Sequence, residues 1–255
     1  MVFVGTAGWS IPKEARGRFA DQGSILSRYG SVLNATEINT TFYRRHRAST
    51  FERWRESVPA EFRFAVKLPR DITHFAALAD CEEELSAFFD DVLGLAEKLG
   101  PVLVQLPASV PFEPRRANRF FVWLRRRYCG LVACEPRHSS WYNPVASALL
   151  VDHDVARVVA DPPRPIQAAE PIVSASLLYV RWHGSPRIYW SAYSDEQLAT
   201  LSQLVRRQSA GTAVWVIFDN TAAGAALGDA LRFRHEPGIC SRLSATQRAR
   251  HAPSR

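Results

Sequence analysis

Leu131-Val132-Ala133-Cys134-Glu135-Pro136-Arg137-His138-Ser139-Ser140-Trp141 joins an apolar run of strand length directly to a carboxylate, a guanidinium, an imidazole and an indole. Core packing does not call for three ionisable groups at the end of a buried strand, since each is costly to bury unpaired. The stretch predicts a strand whose C-terminal end opens on a polar site.

The pattern recurs along the chain. Val2–Val4, Ala35–Ile38, Phe62–Val66, Val102–Leu106, Ala156–Ala160, Leu177–Val180 and Val214–Phe218 are further runs of strand length. Most are continuously apolar rather than alternating, as in strands of a parallel sheet covered on both faces. Between them lie helical periods, clearest in Glu82–Leu99, where Leu85, Phe88, Phe89, Val92 and Leu95 form one stripe behind three glutamates and ahead of Gly100-Pro101. A second begins at Ser194, with Gln197 as its capping-box partner. Strand and helix alternate about eight times, which predicts a single-domain α/β fold, an eightfold TIM-type β/α barrel over residues 1–235. An open doubly wound sheet is the alternative, because the pattern alone does not require closure. The stretch from Pro162-Pro163-Arg164-Pro165 to Ser176 has no helical period, so the sixth helix is expected to be reduced or replaced by a proline-rich loop.

The net charge of +7 suggests nucleic acid until it is divided: residues 241–255 hold four arginines and no acid, leaving +3 for the body. Residues 236–255 are expected to form a basic, disordered tail. Cys81, Cys129, Cys134 and Cys240 show no metal-ligand spacing and predict reduced thiols. No run approaches the roughly 18–20 apolar residues of a spanning helix, and the expected location is cytoplasmic, with no membrane partner.

In such a barrel the loops after the strands form the functional face, so the residues following each run are the candidates. The first run leads to Thr6 and Trp9, the second carries Glu37 and leads to Asn39 and Tyr43, and Lys67 closes the third. Gln105 lies in the fourth; Glu135, Arg137, His138 and Trp141 follow the fifth, and Asp161 the sixth. Arg181, His183, Tyr189, Trp190 and Tyr193 follow the seventh, and Asp219 and Asn220 the eighth. Lys67 stands out because the chain uses three lysines against twenty-nine arginines and still keeps an amine at a strand end. Plainer roles stay open: Glu37 with Arg137, or Asp161 with Arg181, as buried ion pairs, and Asp219-Asn220 as a helix cap.

With these residues assembled, the sequence resembles the YecE-like family, the group called domain of unknown function 72. The matching stretches are Gly5-Thr-Ala-Gly-Trp9, Glu37-Ile-Asn-Thr-Thr-Phe-Tyr43, Phe64-Ala-Val-Lys-Leu-Pro69 with Ile72-Thr-His74, Gln105-Leu-Pro107, Glu135-Pro-Arg-His-Ser-Ser-Trp141, Asp161-Pro162, Tyr179-Val-Arg-Trp-His-Gly184 and Phe218-Asp-Asn220. The resemblance implies a TIM-barrel fold with a polar pocket made from these residues, and no known reaction. The segment after Trp9 lacks the aromatic-rich continuation common in the family, and Gln105-Leu-Pro-Ala replaces a Pro-Pro pair.

The inventory predicts an anion-accepting pocket with hydrolase- or lyase-type chemistry on a phosphate-bearing sugar or nucleotide-like molecule. Arg137, Arg181 and Lys67 would hold the anion, Glu37 or Glu135 would act as base, and His138 or His183 would carry protons; Asp161 and Asp219 complete the catalytic candidates. Trp9, Tyr43, Trp141 and Trp190 would stack on a ring, with Thr6, Asn39, Gln105, Tyr189, Tyr193 and Asn220 as further binding groups. No cofactor is expected, but a divalent metal on Glu37, Glu135, Asp161, His183 and Asp219 stays open, as in metal-dependent phosphodiesterases and sugar isomerases. A non-catalytic nucleic-acid-binding module using Arg, Lys and rim aromatics is the alternative from another class.

Overall fold

The computed structural model describes residues 1–169 and 176–243. Each predicted run forms strand: β1 (Val2–Thr6), β2 (Ala35–Ile38), β3 (Arg63–Lys67), β4 (Leu99–Leu106), β5 (Val132–Pro136), β6 (Val155–Arg157) with β7 (Val159–Asp161), β8 (Leu177–Trp182) and β9 (Ala213–Phe218). The helices are α1 (Ile25–Gly30), α2 (Ala48–Glu56), α3 (Glu82–Val92), α4 (Pro114–Arg127), α5 (Pro144–Asp152), α6 (Asp195–Arg206) and α7 (Ala225–Phe233). α6 carries the predicted capping box, with Ser194 and Gln197 each satisfying the other's backbone.

All strand pairs are parallel, but they form two sheets rather than one closed ladder, ordered β1-β9-β8-β7 and β2-β3-β4-β5-β6. The sixth predicted strand is divided at Val158: β6 pairs with β5, β7 pairs with β8, and the Val158 N–H donates to Cys134 at 2.9 Å. At the other seam, side chains replace strand pairing. Asn34 bridges to the Val4 N–H and Val2 carbonyl of β1, the Tyr29 hydroxyl links the Thr6 N–H to the Ala35 carbonyl, and only the bridge Ala7–Glu37 is made by backbone. Gly5 permits the approach, since a Cβ there would stand 2.0 Å from the Ala35 oxygen.

Two features correct the predicted boundaries. The Glu82–Leu99 helix ends at Val92 and continues as 3-10 turns to Lys98, so Leu99-Gly100-Pro101 opens β4 instead of merely stopping a helix. Ile239 and Leu243, assigned to the tail, pack in the core, while residues 244–255 lie outside the described residues. After β7 the described residues form only the 3-10 turn Ile166–Ala169; residues 170–175 of the expected loop lie outside them.

Two apolar layers hold the strands. The larger lies between strands and helices and takes Leu85, Phe88, Phe89 and Val92 of α3, each contributing about 1.5–3 kcal/mol by burial. The smaller lies between the two sheets and is filled by Ala35, Ala65, Leu103, Ala133, Ala156, Tyr179, Trp215 and Ile217. It contains an aromatic stack, Phe3 on Trp215 at 4.7 Å and Tyr179 on Trp215 at 6.3 Å. Gly100 admits the indole, because a Cβ there would meet the Trp215 ring at 2.5 Å. No helix among the described residues is long and apolar enough to cross a membrane.

Candidate functional site

Side chains of a strand alternate between its faces, so a residue two places beyond an interior one is again interior. Ala35, Ala65, Leu103, Ala133, Tyr179 and Ile217 line the interior. Two steps on lie Glu37, Lys67, Gln105, Glu135, Arg181 and Asp219, which form the polar layer above the apolar one. Asp161 breaks the rule: Val158 is interior and Val159 belongs to the outer layer, so parity turns Asp161 away. Its Oδ1 accepts instead from the Tyr193 hydroxyl at 2.9 Å.

Arg181 is the hub of this layer. Its Nη2 lies 2.9 Å and its Nε 3.1 Å from Glu37 Oε1, its Nη1 donates to Glu135 Oε2 at 3.2 Å, and Nη2 reaches Asp219 Oδ2 at 3.0 Å. The Tyr179 hydroxyl donates to Glu37 Oε2 at 2.7 Å, tying the charged layer to the aromatic floor. His183 bridges two carboxylates, with Nε2 3.0 Å from Glu135 and Nδ1 3.0 Å from Asp219. Arg137, on the open side, donates to Glu135 Oε1 at 3.2 Å. The expected pairs Glu37–Arg137 and Asp161–Arg181 are thus replaced by Glu37–Arg181 and Glu135–Arg137.

The pairing decides the protonation states. A neutral imidazole has one N–H and could satisfy only one of its two acceptors. Burial opposes a charge on His183, but Glu135 and Asp219 outweigh it and raise the imidazole above its ordinary value. Burial likewise opposes the Glu135 and Asp219 charges, but the His183 and Arg181 cations hold both carboxyls below the usual range. Asp161 has no ion pair among the described residues, and burial raises it despite the Tyr193 hydrogen bond and the His183 charge.

Lys67 differs. Its ammonium lies over the Phe42 ring at 4.0 Å and has no hydrogen bond or ion pair among the described residues, although the residue is only 8% exposed. Burial, reinforced by Arg181, lowers it to about 8. His74 packs edge-on against the same Phe42 ring, and burial together with Lys67 and Arg137 lowers it to about 4. Gln105, in register with Glu135, also has no hydrogen-bond partner among the described residues, and the Asn39 Oδ1 is buried without one.

A cavity of about 230 Å³ opens beside this layer, lined by Glu135, Arg137, Tyr142, Arg164, His183 and Tyr189. Tyr189 holds a left-handed backbone, φ 69°, and its N–H donates to the His183 carbonyl, which sets its ring edge-on to the imidazole at 5.8 Å.

Other candidates serve the scaffold. Trp141 is buried and donates to the Val110 carbonyl, and His138 caps a 3-10 turn through Ser140. Thr6 is tied to Tyr29, Tyr193 to Gly184 and Asp161, and Asn220 to Asp229. Trp9 packs edge-on to Trp54; Tyr43 and Trp190 stand exposed, Trp190 beneath Arg187. Asp219 is no helix cap, since Gly224 precedes α7. Arg181 occupies the centre of the carboxylates considered for a divalent metal, and a guanidinium already fills that position with its own hydrogen bonds. The set therefore does not fit a metal ion as it stands. Tyr142, Arg164, Phe42 and His74 were not among the candidates, although Phe42 and His74 both lie in the quoted motifs.

Parallel strands delivering an inward network of Glu, Asp, Arg and His to their C-terminal ends define a pocket-bearing α/β protein. The chain belongs to the family described as "Protein of unknown function DUF72", which matches residues 3–252. It is 31% identical over 177 residues to the UPF0759 protein YecE of Escherichia coli, covering 67% of this chain and 62% of that protein. The protein YunF of Bacillus subtilis is 26% identical over 152 residues, covering 56% of this chain and 53% of that one. The matched segments therefore span less than two thirds of these relatives' lengths. A DUF72 family protein from Thermotoga maritima superposes with a TM-score of 0.75 at 28% identity, covering 92% of this chain and 98% of that one. One from Enterococcus faecalis gives 0.77 at 24% identity over 92% and 94%.

Proposed function

We propose that the two sheets are halves of one eightfold β/α barrel, and that its open end is an acid–base site for a small anionic ligand. The bridge Ala7–Glu37 at one seam and the single residue Val158 at the other support the first statement. The chemistry is of hydrolase or lyase type on a phosphate-bearing sugar or nucleotide-like molecule. Arg137 takes the anion at the cavity wall, with Arg164 in the same lining. His183 acts as proton donor and Glu135 and Asp219 hold its imidazole in place.

One observation carries this reading. The charges of Glu37, Glu135 and Asp219 are balanced by Arg181, His183 and Arg137, so the Lys67 cation is surplus to the network. A site with spare positive charge beside a protonated imidazole favours an anionic ligand that needs a proton. Arg181, by contrast, is fully engaged and serves to aim the three carboxylates.

The test is turnover of a panel of sugar phosphates and phosphodiesters by the purified chain, with Arg137→Ala and His183→Gln alongside. Activity lost in both variants is expected. Background rates across the panel, or activity indifferent to both substitutions, would reject the proposal.

A further inference from the structure

We infer that Lys67 is a covalent amine, which captures the carbonyl carbon of an anionic aldehyde or ketone as a Schiff base in the polar layer at the strand ends. This rests on the anion-binding reading above and names the substrate class for it.

The geometry separates Lys67 from a lysine that merely supplies charge. A structural lysine at the end of a buried strand makes an ion pair or donates to carbonyls, as Lys98 does at 2.7 Å to both Arg55 and Val58. Lys67 has carboxylates in its surroundings, yet Glu37, Glu135 and Asp219 are all committed to Arg181, and its Nζ is left on the face of Phe42. An aromatic face holds a cation without blocking the nitrogen lone pair once the proton leaves. The low exposure excludes bulk water, which favours condensation over hydrolysis. A desolvated amine next to another cationic group is the arrangement that makes lysine nucleophilic at neutral pH. With Lys67 at about 8, roughly a tenth of its amine is uncharged at pH 7, against roughly 0.04% for an ordinary lysine.

The step balances within the site. The neutral Nζ attacks the carbonyl carbon; the N–C bond forms as the C=O π pair moves to oxygen. The nitrogen gives up two protons and the oxygen takes up two. The C–O bond then breaks, the oxygen leaves as water, and the nitrogen pair closes the C=N bond. The first proton leaves nitrogen to water, with the uncharged His74 on the same Phe42 ring as a further relay. His183 supplies a proton to the departing oxygen and recovers one from the nitrogen through His74 or water.

The experiment treats the full chain with dihydroxyacetone phosphate, or with dihydroxyacetone, in the presence of sodium cyanoborohydride, and maps the reduced adduct by peptide mass spectrometry. The expected result is one adduct, at Lys67, formed with the phosphorylated probe far faster than at Lys13 or Lys98, abolished in Lys67→Arg and slowed in Arg137→Ala. The site map on the unsubstituted protein needs no variant to fold. Labelling of Lys67 no greater than that of Lys13 and Lys98 would overturn the inference; if calorimetry still shows Arg137-dependent binding of the phosphorylated probe, the anion-binding reading survives alone. Equal labelling of Lys67 by both probes would keep the covalent lysine and reject the anion site.

Discussion

Arg181 and Glu37 form a buried two-pronged pair, Nη2 at 2.9 Å and Nε at 3.1 Å from Oε1, with side chains 2% and 0% exposed. They sit 144 positions apart in sequence, on β8 and β2, in different sheets. The pair is thus the polar tie across the interior. Removing one partner strands buried charge on the other, so Arg181→Met should cost about 3–5 kcal/mol in urea unfolding. A loss below about 1 kcal/mol would show that the carboxylates are solvated.

His183 makes stability depend on pH with a definite sign. Its folded pKa is raised, so its contribution is complete below the unfolded value near 6.5 and fades as pH rises through the higher folded value. The stability gap between the unsubstituted protein and His183→Gln should therefore be wider near pH 6 than near pH 9. A gap that is constant or grows with pH would contradict the imidazolium bridge.

Lys67 should behave oppositely. A folded pKa of about 8 against 10.5 means that the buried charge costs stability wherever both states are protonated. Lys67→Met should stabilise the fold by up to about 3 kcal/mol at pH 7, the gain shrinking as pH approaches the unfolded value. Thermal or urea midpoints across that range decide it, and a destabilised Lys67→Met near neutrality would refute it.

Gly100→Ala should destabilise by about 1–3 kcal/mol, since the added methyl overlaps the Trp215 ring. Trp215→Leu combined with Gly100→Ala should recover part of the loss. Near-UV circular dichroism and unfolding midpoints check both, and a neutral Gly100→Ala would mean that the indole is free to move.

Much of this was legible in the residues. Continuous apolar runs marked the strands, β6 and β7 as a single one, and the residues at the ends of those runs included Glu37, Lys67, Gln105, Glu135, Arg181 and Asp219 among a larger set. Partner choice was not legible: Arg137 and Arg181 look alike in sequence, and only the reach of the Arg181 side chain from β8 to residues of β2 and β5 and to Asp219 gives it three carboxylates. Nor was the division of the sheets, because Asn34 and Tyr29 replace backbone pairing with side-chain bonds that carry no periodic signature. Trp141 misled because an indole just beyond a strand end packs as readily under a loop as over a ligand. Asp161 misled because the alternation runs unbroken through Val158: Ala156 and Val158 face the interior, Val155 and Val159 the outer layer, and Asp161 follows the latter.

The Phe3–Trp215–Tyr179 stack underlies the charged layer, and the Tyr179 hydroxyl on Glu37 joins the two. Repacking around the Trp215 indole would therefore be felt at a carboxylate it never touches.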